Sequence, residues 1–210
     1  IDGEQFAGQE GNVLDEPNSK ASRVVKNLLE IYRSSPVATQ VVFTQIGLGR
    51  TATRKGETFK TFSTAQDVVE RLVQQGVPRE QIAIVDGSTS KDRRKAIADA
   101  MNKAEIRIVI GSTESLGVGV NMQRNLRAMH HLDAPWMPGD LEQRNGRGHR
   151  QGNQWNTVLE YRYITDRIDG RRWQVLAIKQ RFINSFLKSK GDVRVIEGDA
   201  ASDEESDILS

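Results

Sequence analysis

Gln81-Ile82-Ala83-Ile84-Val85-Asp86-Gly87-Ser88-Thr89, followed by a helix-patterned stretch from Lys91 to Asn102 and a second apolar run from Ile106 to Ile110, is the segment whose reading decides the fold. A short run of branched apolar residues, a polar turn, a helix and another apolar run form one strand-helix-strand crossover, the unit from which parallel sheets are built. The apolar residues run continuously instead of alternating, as strands do when helices cover both faces of their sheet.

The same alternation extends outward in both directions. Upstream, Val24, Val25, Leu28, Leu29, Ile31 and Tyr32 recur at helical spacing from Lys20 until Ser34, Ser35 and Pro36 end the pattern. Gln40 to Thr44 reads as a buried strand, and Gly47 to Lys60, interrupted by glycines and cations, as an exposed contact loop. A helix is expected from Thr64 to Gln75, closed by Gly76 just beyond its end. Downstream come a helical turn at Thr113 to Leu116, a strand at Ala128 to Leu132, a helix at Asp140 to Arg150, a strand at Val158 to Ile164 and a long helix from Asp169 to Leu187. The fold class is therefore α/β, a parallel sheet with helices on both faces, whose ligands are expected beyond the carboxyl ends of the strands. Residues 1–19 read as a flexible linker, 20–167 as the α/β domain, 168–192 as a C-terminal brace helix and 193–210 as an acidic disordered tail.

Composition narrows the partners. With 37% hydrophobic and 28% charged residues the chain has the balance of a polar-surfaced globular domain, and it contains no transmembrane-length apolar stretch. No basic and apolar leader is visible at the start, so an intracellular, cytoplasmic setting without a membrane partner is expected. The absence of cysteine excludes disulfides, thiolate metal sites and a cysteine nucleophile. The net charge of +2 conceals six uncompensated acids in residues 197–210, so residues 1–196 carry +8, a balance suited to a polyanion.

The densest polar cluster is Gln143-Arg144-Asn145-Gly146-Arg147-Gly148-His149-Arg150-Gln151-Gly152. On a helix Gln143, Arg147 and Arg150 share one face, and two guanidinium forks at that spacing suit charge developing on a transferring phosphoryl group. The bland alternative is a solvated basic helix or a phosphate-backbone contact. Gly146 and Gly148 each cost a helix about 1 kcal/mol, which points to close approach by another surface. Thr44, Ser88 and Thr113 place short hydroxyls at strand ends, where they suit phosphate contacts; Ser88 and Thr89 equally suit capping of the helix that begins near Lys91. His130 and His131 are adjacent in a strand and point to opposite faces, so they read as structural and no metal site is expected. Trp136 reads as packed on its own domain, and Trp173, Phe182 and Phe186 as the apolar face of a helix bracing the core.

The decapeptide resembles motif VI of superfamily-two helicases, Q-R-x-G-R-x-x-R-x-G, at every fixed position. Val41-Val42-Phe43-Thr44-Gln45 resembles motif IV, and Asp86-Gly87-Ser88-Thr89 with Arg93, Ala96 and Ile97 is similar to a segment of Snf-type remodelling ATPases. Ser112 to Asn121 resembles motif V, and His131-Leu132-Asp133-Ala134-Pro135-Trp136 with Asp140-Leu141 resembles the approach to motif VI. The chain departs at Met137-Pro138, where remodellers have Asn-Pro, and in lacking a phenylalanine after Asn102-Lys103. Over roughly Lys20 to Lys190 the cues are closer still to the second lobe of large phage and mobile-element helicase–methyltransferases, the DarB-like antirestriction group.

This resemblance implies a RecA-like lobe of an ATP-dependent DNA helicase or translocase, in a bacterial or phage setting that extends to packaging in a virion. It implies Arg147 and Arg150 as catalytic arginines, and Gln143, Gly117, Gly119 and Asn121 toward nucleotide. Thr44, Gln45, Gly87, Ser88, Ser112 and Thr113 would face DNA. The chain has no phosphate-binding loop, since Gly49 to Gly56 places glycine after its lysine, and no strand ending in Asp-Glu. ATP and magnesium are therefore expected to be held mainly by a separate N-terminal lobe, and an adenine methyltransferase is an expected partner. The rival readings are a non-catalytic nucleic-acid-binding module and a scaffold that docks a methyltransferase or capsid partner through the tail.

Overall fold

The computed structural model describes residues 19–45, 48, 51–54, 57–60, 63–117, 121–148, 151–164 and 169–204; for 51–54, 57–60, 117, 169 and 189–204 it describes the backbone alone. The expected linker at 1–19 lies outside these residues but for Ser19. Two compact units divide the chain, residues 1–133 with 144–164, and residues 134–143 with 165–210.

The first unit holds helix α1 (Lys20–Ser34), strand β1 (Thr39–Phe43), strands β2 (Thr51–Arg54) and β3 (Glu57–Lys60), helix α2 (Thr64–Gln74), β4 (Ile82–Val85), α3 (Lys91–Asn102), β5 (Ile108–Gly111), α4 (Thr113–Gly117), β6 (Leu126–His131), the end of α5 (Pro138–Gly148) and β7 (Leu159–Arg162). Five strands form one sheet in the order β4-β5-β1-β6-β7, every pair parallel. Because successive strand residues face opposite sides, β1 feeds two cores. Val42 joins Val24 and Leu28 of α1 and Val68 and Leu72 of α2, whereas Val41 and Phe43 join Ile97 and Met101 of α3 and Leu116 of α4. Each fully buried side chain of this kind contributes about 1.5–3 kcal/mol, which is why the strand runs are apolar throughout.

Element ends follow local chemistry. Ser19 and Ser63 cap α1 and α2 through their hydroxyls. Gly76, with φ of 90°, ends α2 in the left-handed conformation expected of it. The buried Arg107 terminates α1, donating to the carbonyls of Tyr32, Ser35 and Ala38 with its guanidinium 3.7 Å from the Tyr32 ring centroid.

Two expectations are corrected. Gly47 to Lys60 is not simply a loop: β2 and β3 pair antiparallel from Thr51↔Lys60 to Arg54↔Glu57. Glycine and lysine content masked two short strands, each with β-branched threonine, separated by Lys55-Gly56. The cap of α3 is Ser90, whose hydroxyl accepts the Arg93 N–H; Thr89 instead belongs to the preceding turn. Helix α6 runs Asp169–Glu204.

The second unit contains the first turns of α5 and α6. Leu176 is buried, with 4% exposure, but Phe182 and Phe186 are 72% and 58% exposed, contrary to the expected bracing face. Trp136 is likewise exposed rather than packed in, with the Arg172 guanidinium 4.9 Å from its ring centroid and Lys179 Nζ donating to its carbonyl at 3.1 Å. Among the described residues no helix is long and apolar enough to cross a membrane.

Candidate nucleotide and nucleic-acid site

In the first unit, β1, β5 and β6 are parallel, so their carboxyl ends deliver Thr44, Gln45, Ser112, Thr113, His131 and Asp133 to one edge of the sheet. A single buried charge organises that edge. Arg144, on α5, has 0% exposure. Its Nε donates to Thr113 Oγ1 at 2.7 Å and its Nη1 to the Asp133 carbonyl at 3.1 Å, while Nη2 lies 3.7 Å from Asp133 Oδ1. The guanidinium also lies 5.1 Å from the Phe43 ring centroid.

Asp133 completes the connection to β1. Its Oδ2 accepts the Thr44 hydroxyl at 3.1 Å and the Gln45 backbone N–H at 2.7 Å, and Gln45 Nε2 donates to Thr113 Oγ1 at 3.1 Å. Burial of a charged pair is costly unless further hydrogen bonds satisfy it, and here the threonines and the Gln45 amide supply them. The cluster thus fastens the last turns of α5 to three strand ends.

His131 stacks on Phe43 and lies 3.4 Å from Arg144 Nη1 through Nδ1 and 3.6 Å from Glu160 Oε1 through Nε2. Burial, and then the Arg144 and Arg162 cations, push its pKa down to about 3, so the ring is neutral near pH 7. His130 points to the other face, bonded to the Tyr163 hydroxyl at 2.8 Å and Gln40 Oε1 at 3.0 Å, and burial lowers its pKa to about 3 as well.

The expected nucleotide-facing residues distribute as follows. Arg147 lies one turn beyond Arg144 on α5 and is largely buried, at 9% exposure. Gln143 is exposed and falls in the second unit. Arg150 and Gly119 lie outside the described residues. Gly117 ends α4, and the exposed Asn121 offers its carbonyl to Asn102 Nδ2 at 2.7 Å. Asn102 Oδ1 also accepts the Arg124 N–H at 3.2 Å, so the end of α3 anchors the segment entering β6. Of the two helix glycines, Gly148 is closely approached: a Cβ there would meet Met129 Cε at 2.8 Å. Gly146 is not, since a Cβ there meets nothing within 4 Å.

Among the residues expected to face DNA, Thr44 and Thr113 are buried and their hydroxyls engage inside the protein, in the Arg144–Asp133 cluster. Ser112 is half-buried and accepts the Ser115 N–H at 3.0 Å, opening α4. Gly87 and Ser88 are exposed at the turn after β4. Asp86 Oδ1 shapes that turn by accepting both the N–H and the hydroxyl of Ser88 and of Thr89. The Ser88 hydroxyl leads the effects that lower the Asp86 pKa.

Asp133 and Arg144 were quoted within motifs but given no role from sequence. The available signals were an aspartate one residue past a buried strand, and a second arginine one helical turn before Arg147. Neither signal names its partner, because the two residues meet only when β6 and α5 fold back together.

A family model described as "Helicase conserved C-terminal domain" matches residues 40–152. Defense against restriction protein B of Escherichia phage P1 is 30% identical over 117 residues, covering 52% of this chain and 5% of that protein. The chromatin-remodeling ATPase INO80 of Aspergillus oryzae is 32% identical over 108 residues, covering 51% of this chain and 7% of that protein. The chain thus spans only a small fraction of the curated relatives it matches. The C-terminal part of the Fun30 ATPase domain superposes with a TM-score of 0.56 at 21% identity, covering 76% of this chain and 46% of that one. The DUF1998 helicase MrfA, solved bound to DNA and AMPPNP, gives 0.54 at 16% identity, covering 83% and 22%. These likenesses are of fold. With the family model matched over more than half of the chain, the chain belongs to the helicase conserved C-terminal domain family.

Proposed function

We propose that this lobe supplies the arginine side of an ATP site shared with an N-terminal lobe, and that the assembled enzyme moves along or remodels DNA. The observation that carries the reading is the buried Arg144, which fixes the helix bearing Arg147 to the ends of β5 and β6. A guanidinium held on a fastened helix is preorganised for charge that develops elsewhere, and preorganisation is what makes such groups effective. Arg147 and Arg150 stabilise the transferring phosphoryl group, Gln143 and Asn121 orient the nucleotide, and Gly117 and Gly119 allow the backbone to approach it.

The charged groups at the end of α5 are guanidiniums, which fit phosphate oxygens and not a metal cation. ATP brings the bond to be broken and magnesium neutralises its phosphates; the magnesium ligands are assigned to the N-terminal lobe. DNA contacts fall to Gly87, Ser88 and Ser112 at the strand ends. Thr44, Gln45 and Thr113 stand behind them, holding the loop backbones through Asp133 and Arg144. Defense against restriction protein B is named for a role against restriction, which supports placing this lobe in such a protein, with an adenine methyltransferase as a further partner.

The purified chain alone should hydrolyse ATP no faster than buffer, with or without DNA, and residues 1–196 should bind DNA weakly with an affinity that falls steeply with salt. DNA-stimulated turnover by the isolated chain contradicts the shared site. An affinity independent of salt contradicts the DNA assignment.

A further inference from the structure

Away from the strand ends, the edge of the sheet presents a second surface. Among the described residues strand β4 is outermost, bonded to β5 on one side and to no strand on the other. The Gln81 carbonyl accepts the Arg107 N–H at 2.8 Å, which sets the alternation: residues 81, 83 and 85 turn toward β5, and 82, 84 and 86 turn outward. Side chains cover two of the three outward positions. Arg79 Nη1 donates to the Ile82 carbonyl at 2.7 Å. At Asp86 the Thr89 hydroxyl accepts the N–H at 3.1 Å and Arg94 Nη2 donates to the carbonyl at 3.2 Å.

Between these covers Ile84 directs its backbone N–H and C=O into a groove of about 870 Å³ lined by Arg79, Glu80, Ile82, Ile84, Arg93 and Ile106, among others. Its floor is apolar and its rim carries two guanidiniums against one carboxylate. Exposed strand edges are ordinarily blunted along their length, because unpaired backbone groups recruit further strands. Here the blunting stops at one residue, above an isoleucine-lined groove of net positive charge.

We infer that the β4 edge binds an extended acidic segment of a partner protein as a sixth strand. The backbone of the segment pairs with Ile84, an apolar side chain packs beside the half-buried Ile84, and flanking carboxylates meet Arg79 and Arg93. This is strand addition, in which main-chain bonds give affinity and alternate side chains give specificity. Arg79 serves as a movable cover: drawn onto a carboxylate, it releases the Ile82 carbonyl and extends the register by one outward position. DNA matches the charge of the rim but offers neither an alternating donor–acceptor backbone nor an apolar side chain for the floor.

The test uses the full chain and a short synthetic peptide alternating glutamate with isoleucine, followed by fluorescence anisotropy and amide hydrogen exchange. Saturable binding is expected, with exchange of the Ile84 amide slowed at least about tenfold at saturation. Arg79→Glu and Arg93→Glu, both at exposed positions, should each weaken binding by about tenfold or more, a loss of about 1.4 kcal/mol. A twin peptide with lysine for glutamate, and one with proline at the pairing position, should not bind. The proposal is overturned by absence of saturable binding, by binding that leaves Ile84 unprotected, by indifference to both charge reversals, or by a DNA duplex that displaces the peptide and protects the same amide. None of these results bears on Arg147, which does not line this groove; Ser88, which does, is also a proposed DNA contact, and the DNA competition arm separates the two uses.

Discussion

A guanidinium with no exposed surface must be neutralised where it lies, and Arg144 is met by the Asp133 carboxylate, the Asp133 carbonyl and the Thr113 hydroxyl. Removing one member of such a pair leaves the other buried and uncompensated. Arg144→Ala should therefore destabilise the chain by about 3–5 kcal/mol in urea unfolding, and Arg144→Lys should recover only part of it, since an ammonium cannot serve both partners at the same spacing. A loss below about 1 kcal/mol for the alanine variant would place the cluster at the surface in energetic terms. The histidines behind it predict a pH dependence. Both have folded pKa values near 3, below the 6.5 of an unfolded histidine, so between these values the unfolded state binds more protons. Stability is then fully present above about pH 6.5 and is lost as pH falls toward 3, with a limiting slope of about 1.4 kcal/mol per pH unit for each histidine. His130→Gln should reduce that slope in denaturation measured across this window; an unchanged slope contradicts the assignment.

At the scale of elements, α5 is where sequence and structure diverge most usefully. Its two glycines look equivalent in the sequence, yet a Cβ on Gly148 would lie 2.8 Å from Met129 Cε and 3.1 Å from Val158 Cγ1, while one on Gly146 meets open space. Gly148→Ala should cost about 1–3 kcal/mol through overpacking, whereas Gly146→Ala should add about 0.5–1 kcal/mol by favouring the helix. Thermal unfolding of the two variants distinguishes them, and equal shifts would contradict the geometry. The strands and helices that make up the sheet and its two covers were legible because each carries a continuous apolar run or a helical period; α3 begins and ends where its pattern does, at Lys91 and Asn102. The β2–β3 hairpin was not, since four-residue strands rich in polar residues are too short to leave a periodic trace. The Arg144–Asp133 pairing was hidden for a different reason: it joins residues from separate elements, and sequence records spacing along one element only. The same limit applies to Thr44 and Thr113, whose strand-end positions were evident but whose inward bonds were not.

For the molecule as a whole, the chain belongs to the helicase C-terminal domain family and spans a small part of the curated relatives it matches. In the proposed function Arg147, on α5, and Arg150 act on a nucleotide held by the other lobe. The most direct measurement is ATP turnover by the two-lobed protein at saturating ATP and DNA, for Arg147→Ala, Arg150→Ala and the corresponding lysine variants. The account predicts that each alanine variant loses about a hundredfold or more in turnover with a much smaller change in nucleotide affinity, and that lysine does not restore it, because an ammonium lacks the planar fork. A near-normal maximal rate for both alanine variants, with DNA binding weakened and its salt dependence flattened, would contradict it and make the two arginines backbone contacts.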